Sequence, residues 1–248
     1  MIDLQAVWAL TWRDLRRASR DRRRAAAEIV RPAMFLLLLG QGLKASGAQA
    51  PGIDYQQFMF AGVLALTITF AALVQGVTIL WDREFGFLKE VLVAPISRAT
   101  IVVGKIVAGA TVSVAYGALT LVFAPVVSVR LTVGSVVSLL AVFMLLAVAI
   151  TALGMILAMI MKTLEGFSVV FSFVNLPLTF LSGGMFPMDG VPTWMTRLIH
   201  ANPVTYGVDL MRHALGQPTS FDAVTDVAVG VAFAGVMITL VMVLFRRE

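Results

Sequence analysis

The sequence predicts an all-α, polytopic membrane protein with six transmembrane helices, and three observations lead there. Of 248 residues, 59% are hydrophobic and only 13% charged, too little polar surface for a soluble domain of this size to cover itself. Apolar runs recur at 27–44, 56–81, 101–127, 131–161, 166–187 and 223–245, each near or above the ~20 residues that cross a ~30 Å hydrocarbon core. The cationic residues between those runs alternate in density, as loops do on opposite sides of a bilayer.

Residues 1–24 come first. At about 100° per residue, Leu4, Val7, Trp8, Thr11, Trp12 and Leu15 share one side of a helix, and Arg13, Arg16, Arg17 and Arg20 fall opposite. Two Trp facing an Arg-rich stripe suit a helix lying in the headgroup plane, with the lipid membrane as its partner. The first two spans follow, and the second carries a weak polar stripe of Thr67, Ala71, Gln75 and Thr78 leading down to Asp82.

Residues 82–98 interrupt the apolar sequence. Asp82 is expected as an N-cap with Glu84 in the first turn; Phe85, Leu88 and Leu92 share a face, and Pro95 ends the helix. The other face shows Arg83, Glu84, Lys89 and Glu90. A plain connector needs only a few polar residues, so a capped helix with both signs of charge suggests docking to a soluble partner; an interfacial helix is the alternative.

The third and fourth spans are long enough to tilt or bend, with Pro125 near the end of the third. In the fifth, Ser168, Ser172, Asn175, Thr179 and Ser182 recur at intervals of four, three, four and three, forming one face. Small and hydroxyl residues pack helices closely in lipid, so this face is either a helix interface or a path for a cargo with some polar groups. Asn175 and Gln75 are the sharpest candidates, because an amide at membrane depth must find a partner. Pro177 frees a backbone carbonyl nearby and allows a bend.

Residues 188–222 are too polar to cross and too apolar to float. Pro192 can start one short helix and Asn202-Pro203 another, with Gly216 and Pro218 ending the second. Val204, Val208, Met211 and Leu215 form its apolar stripe, and Asp209 can pair with Arg212 or His213. The pair reads as re-entrant or interfacial helices capping the outer mouth. Two His thirteen residues apart, without an acidic partner at ligand spacing, predict no metal site. The sixth span closes the order.

With residues 1–24 placed inside, Arg13, Arg16, Arg17, Arg20, Arg22, Arg23, Arg24, Arg31, Arg83, Lys89, Arg98, Lys105, Lys162, Arg246 and Arg247 all fall inside, against Lys44, Arg130, Arg197 and Arg212 outside. That asymmetry predicts both termini and the 82–98 stretch in the cytoplasm. It also ties the net charge of +5 to the membrane surface, so no nucleic-acid partner is expected. The chain has no Cys, which excludes disulfides and thiolate metal sites. No carboxylate lies deep in a span, since Asp226 sits near an outer end and Glu165 in a loop, which argues against an ion-coupled carrier. No phosphate-binding loop occurs, so "LSGGM" at 181–185 is a chance match to an ATPase signature. No catalytic residues are predicted.

Two segments carry a resemblance. "REFGFLKEVLVAPISR" resembles the first cytoplasmic loop of the permease subunits of ATP-binding-cassette type 2 exporters, through Glu84, Gly86, Glu90, Pro95 and Arg98. "LSGGMFPMDGVPTWMTRLIHANPVTYGVDLMRHALGQ" resembles their outer motif, through Phe186-Pro187, Pro192, Trp194, Asn202-Pro203, Thr205-Tyr206, Asp209 and Arg212. Lys89 departs from the family pattern, which has two adjacent acids there.

The resemblance covers nearly the whole chain and implies a single transmembrane domain over residues 1–248. It makes 82–98 a coupling helix for a separate ABC ATPase subunit, through Arg83, Glu84, Gly86, Lys89, Glu90, Pro95 and Arg98, with ATP and Mg held by that partner and no cofactor in this chain. It implies a second permease copy, as a homodimer, around a path lined by the second and fifth spans: Thr67, Gln75, Thr78, Ser168, Phe171, Ser172, Asn175 and Thr179. Pro187, Asn202, Pro203, Tyr206, Asp209 and Arg212 would form the outer motif. The expected setting is the bacterial inner membrane. The expected cargo is an amphipathic drug or lipid-like molecule, or else a lipid-linked oligosaccharide or polysaccharide. A reading from another class is a membrane anchor or receptor that recruits a soluble partner without transport.

Overall fold

The computed structural model describes residues 3–40, 55–86, 96–161, 163–186, 188 and 190–246. Lys89, Glu90 and Pro95, with most of the expected coupling helix, and Pro187 of the outer motif lie outside them. Every regular element among the described residues is helical, as expected of an all-α membrane protein.

Helix α1 (Leu4–Arg20) is capped by Asp3, whose carboxylate accepts from the backbone N–H of Gln5 and Ala6. Helix α2 (Arg22–Met34) continues into a π-helical turn at Phe35–Leu39. Pro32 inside α2 cannot donate a backbone hydrogen bond, which accords with the irregular turn that follows. Helices α3 (Tyr55–Gly76) and α4 (Thr78–Glu84) are parts of a 30-residue stretch interrupted at Val77. Helix α5 (Arg98–Thr120) is capped by Ser97 and passes into a 3-10 turn at Leu121–Val127 containing Pro125. Helix α6 (Val133–Ile160) begins with a capping box from Thr132 and Ser135. Helix α7 (Leu164–Phe180) starts at Thr163; α8 (Thr193–Ala201) and α9 (Pro203–Leu215) form the expected pair; and α10 (Ala223–Phe245) is capped by Asp222.

Among the described residues four helical stretches, Tyr55–Glu84, Arg98–Val127, Val133–Ile160 and Ala223–Phe245, are long and apolar enough to cross a membrane. The fifth expected span is shorter than its apolar run, because α7 stops at Phe180 and the chain turns at Gly183 with φ +67°, a left-handed conformation that suits glycine. At 17 residues it reaches ~26 Å.

Helix α3 is the hub, packed by α5, α6, α9 and α7. Of its most apolar window 83% is buried, against 11% for α10 at the rim. The approach of α3 to α6 depends on a missing side chain, since a Cβ on Gly76 would lie 2.2 Å from the Gly154 carbonyl carbon; likewise a Cβ on Gly62 would lie 2.1 Å from the Gly184 oxygen, in the turn after α7. Small-residue contacts of this kind let helix backbones meet where no hydrophobic force draws helices together.

Candidate functional site

At the Gly76 end of α3, the end that the charge asymmetry predicts to be the inner one, α1, α4 and α5 meet around four charged side chains. Lys105 is 4% exposed. Its ammonium donates to Asp14 at 3.0 Å and pairs with Asp82. Arg13 bonds Asp14 at 2.6 Å and Asp82 at 3.1 Å. Burial opposes the charge on Arg13, but Asp14 and Asp82 together raise its pKa above the usual guanidinium value. Two acids and two bases therefore neutralise one another with direct hydrogen bonds, the condition under which buried ions are tolerated.

This corrects the sequence expectation for Asp82. It is not an N-cap: α4 begins at Thr78, and Asp82 lies in its last turns, buried and paired across the molecule. Asp14 was not singled out, although it lies one helical turn beyond Thr11 on the face that packs. That face of α1 is Leu10, Thr11 and Asp14, laid on α5, where the Thr11 hydroxyl donates to the Gly104 carbonyl at 3.4 Å. The Trp face is largely exposed: Trp8 and Trp12 are 64% and 51% exposed and stack at 6.0 Å. Arg13, Arg16, Arg17 and Arg20 line an open groove beside Trp12.

From this network the chain leaves into the 82–98 stretch. Arg83 is half-buried, Glu84 exposed, and Gly86 adopts φ +78° where α4 has ended. On the return, Arg98 donates to the Arg246 carbonyl at 2.5 Å and the Phe245 carbonyl at 3.4 Å. It thereby ties the start of α5 to the end of α10, capping orphan carbonyls there.

The two polar stripes do not form one surface within this chain. Thr67 is 1% exposed and donates to Val63 O at 2.9 Å; Thr78 donates to Gln75 O at 2.8 Å. Gln75 packs beside Gly109 and Thr151, and its amide nitrogen has no hydrogen-bond partner. Gln75 and Thr78 line a recess of about 120 Å3 shared with Asp14, Arg17 and Asp21, well below the ~300 Å3 of a small-molecule site. The second-span stripe is thus turned into the chain's own packing. On α7, by contrast, Ser168 and Ser172 are exposed, their hydroxyls donating back to Leu164 O at 2.9 Å and Ser168 O at 3.0 Å. Phe171 meets Phe70 edge-on at 5.1 Å, Asn175 Oδ1 is buried without a partner, and Thr179 is buried.

At the opposite end the outer motif closes on itself. Asn202 caps α9 by accepting from Val204 N–H at 3.0 Å, with Pro203 in the first turn, as the sequence predicts. Its amide also donates to Leu178 O at 2.9 Å and Leu181 O at 2.8 Å, so one side chain serves the start of α9 and the end of α7. The Tyr206 hydroxyl donates to His200 O at 2.8 Å. Arg212 donates to Gly183 O at 2.7 Å and stacks over Phe58 at 4.1 Å. Burial pushes its guanidinium down to about 10, with Asp209 opposing, so it stays charged at neutral pH. Asp209 accepts from Ser220 N–H at 3.0 Å and Phe221 N–H at 2.8 Å, holding the turn between α9 and α10. The expectation that no acidic partner stands at ligand spacing from either histidine does not hold for His213: Asp209, His213 and Asp226 converge with ligand atoms within 4.8 Å of one another. His213 follows Asp209 by one helical turn, a spacing visible in the sequence; the approach of Asp226 is not.

The family described as ABC-2 type transporter matches residues 5–215. The chain is 30% identical over 190 residues to a transport permease, ycf38, of Cyanophora paradoxa, covering 74% of this chain and 65% of that relative. It is 26% identical to nodulation protein J of Rhizobium leguminosarum bv. viciae, over 86% of this chain and 82% of the relative. To the inner membrane transport permease YadH of Escherichia coli (strain K12) it is 23% identical, over 88% of this chain and 82% of the relative.

Proposed function

The chain belongs to the ABC-2 type transporter family, and on that premise we propose that it is the permease subunit of an ATP-driven exporter. It moves an amphipathic drug or lipid-like molecule out of the cytoplasm or inner leaflet. ATP and Mg are bound by a separate ATPase subunit, which docks on residues 82–98 at the cytoplasmic face of the bacterial inner membrane, where both termini also lie.

The observation that carries this reading is the neutral network of Arg13, Asp14, Asp82 and Lys105 at the root of the 82–98 stretch. A push delivered to that stretch meets α1, α4 and α5 locked together rather than a flexible loop. It is therefore delivered to Val77, the one interruption before the α3 hub. A mere anchor has no need of such a lever.

The cargo path is formed with a second copy, as a homodimer, against the open face of α7. That face presents Ser168, Ser172 and Phe173, the last 76% exposed. Its few hydroxyls among aromatic and aliphatic side chains favour a greasy cargo over a saccharide. The Gln75 recess faces the chain's own helices and is left out of the path.

Reconstitution with the ATPase subunit in proteoliposomes tests this. An amphipathic substrate should stimulate ATP hydrolysis, and Glu84→Lys should uncouple hydrolysis from export while the permease still assembles. Absence of stimulation by any amphipath would favour the anchor; stimulation by lipid-linked saccharides alone would move the substrate class to those.

A further inference from the structure

The outer acid cluster has a feature that the transport reading does not use. Asp226 opens α10 yet is 0% exposed, and among the described residues neither of its carboxylate oxygens has a hydrogen-bond partner. Its nearest cationic candidate, His213 Nε2, stands 3.7 Å from Oδ2, beyond hydrogen-bond reach. The cavity beside Asp226 is about 10 Å3 and is otherwise lined by apolar groups such as Leu146, Ala149, Pro203, Gly207 and Phe233. Arg212 does not serve Asp226, being 4.0 Å from Asp209 and bonded to Gly183 O. Asp222, which caps the same helix, adds a third acid nearby.

We propose that Asp209, His213 and Asp226 bind a divalent transition-metal ion of the zinc type. One imidazole nitrogen with two carboxylates is a zinc-class donor set; the nitrogen disfavours calcium and magnesium, which take oxygen. In a tetrahedral site with metal–ligand bonds of ~2.1 Å, neighbouring donor atoms lie ~3.4 Å apart. The distances around His213 Nε2 bracket that figure: 3.7 Å to Asp226 Oδ2 and 3.1 Å to the Phe221 carbonyl oxygen. The Phe221 carbonyl is placed to act as a fourth donor. Asp209 is already oriented by the Ser220 and Phe221 N–H groups, as ligating carboxylates commonly are. Two added positive charges would neutralise the three acids and Arg212. The ion would staple the end of α9 to the start of α10 across residues 216–222, fixing the outer cap to the rim helix.

The test is a titration of the full-length chain in nanodiscs with Co2+ as an optical probe and Zn2+ as competitor. Expected is one Co2+ per chain, with visible absorption of an ordered nitrogen-oxygen site, displaced by Zn2+. Asp226→Asn and His213→Gln should each weaken binding by more than ~10-fold, since even outer partners of metal ligands are worth ~10–100-fold; His200→Gln should leave it unchanged. Asp226→Asn removes an unpaired buried charge and should fold, which size-exclusion chromatography checks. No saturable binding by the wild-type chain, or equal binding by Asp226→Asn, overturns the proposal. So does an infrared carboxylic-acid band, lost in Asp226→Asn and insensitive to Zn2+, which would mean that a shared proton holds the two carboxyls together.

Discussion

The two ends of α3 both carry buried charge, and they handle it in opposite ways. At the inner end Asp14 and Asp82 face Arg13 and Lys105, and every charge has a direct partner. At the outer end Asp209 and Asp226 lie within reach of each other, but Asp209 takes up the nearby arginine and the backbone donors while Asp226 takes none. A balanced network is a joint: it fixes three elements and asks for nothing else. An unbalanced one asks for a ligand. On the readings proposed above, the balanced end transmits force and the unbalanced end binds a ligand.

The largest expected effect comes from breaking the balance of the inner network. Lys105→Met leaves two buried carboxylates with Arg13 alone, and removing one member of a buried ionic group costs about 3–5 kcal/mol. Thermal unfolding of the purified chain should show that loss, and adding Asp82→Asn to Lys105→Met should recover part of it, because the uncompensated charge is then gone. A Lys105→Met protein that melts like wild type would mean the four groups are solvated and the joint does not exist.

Much of the fold was legible because its signals are local. Asn202 before Pro203, and Gly216 after Leu215, mark the ends of α9 by the stereochemistry of cap and left-handed turn, and the structure reproduces both. Thr163 and Asp222 cap their helices by the same local stereochemistry, although neither was singled out in the sequence. What stayed hidden depends on partners distant in sequence. Asp82 looks like a cap when only its neighbours are visible; its real partners are Lys105 and Arg13, 23 and 69 residues away in the chain. Thr67, Gln75 and Thr78 form a polar stripe on a helical wheel, but a wheel does not reveal whether the stripe faces a pore or the chain's own α5 and α6. The Gly76–Gly154 approach decides that by drawing the backbones of α3 and α6 together. The lone acid in the 223–245 run was noticed as peripheral. Its position in the first turn is peripheral indeed, yet its side chain is fully covered, because α9 folds back over it.

A smaller effect separates the two acids of the outer end. Asp209→Ala leaves the Ser220 and Phe221 N–H groups without their acceptor, each such loss being worth about 1–3 kcal/mol. It also removes the repulsion felt by Asp226, so the net should sit near the lower end of that range. Melting curves should therefore fall modestly, and hydrogen exchange at Ser220 and Phe221 should quicken while α3 is unaffected. Unchanged exchange at those two amides would mean that the turn holds without Asp209.

The smallest shift carries the sharpest contrast. Asp82→Asn and Asp226→Asn are the same chemical change at the two ends of one helix hub, made in a chelating buffer so that no metal contributes. Asp82→Asn removes a carboxylate that two cations use and should destabilise. Asp226→Asn removes a charge that no donor meets, and replacing an unpaired buried ion by a neutral group of the same shape relieves its desolvation. The melting temperature of Asp226→Asn should therefore equal or slightly exceed that of wild type. If both variants fall together, Asp226 has a partner in the folded protein after all, and the division between a self-sufficient inner joint and a ligand-seeking outer site loses its basis.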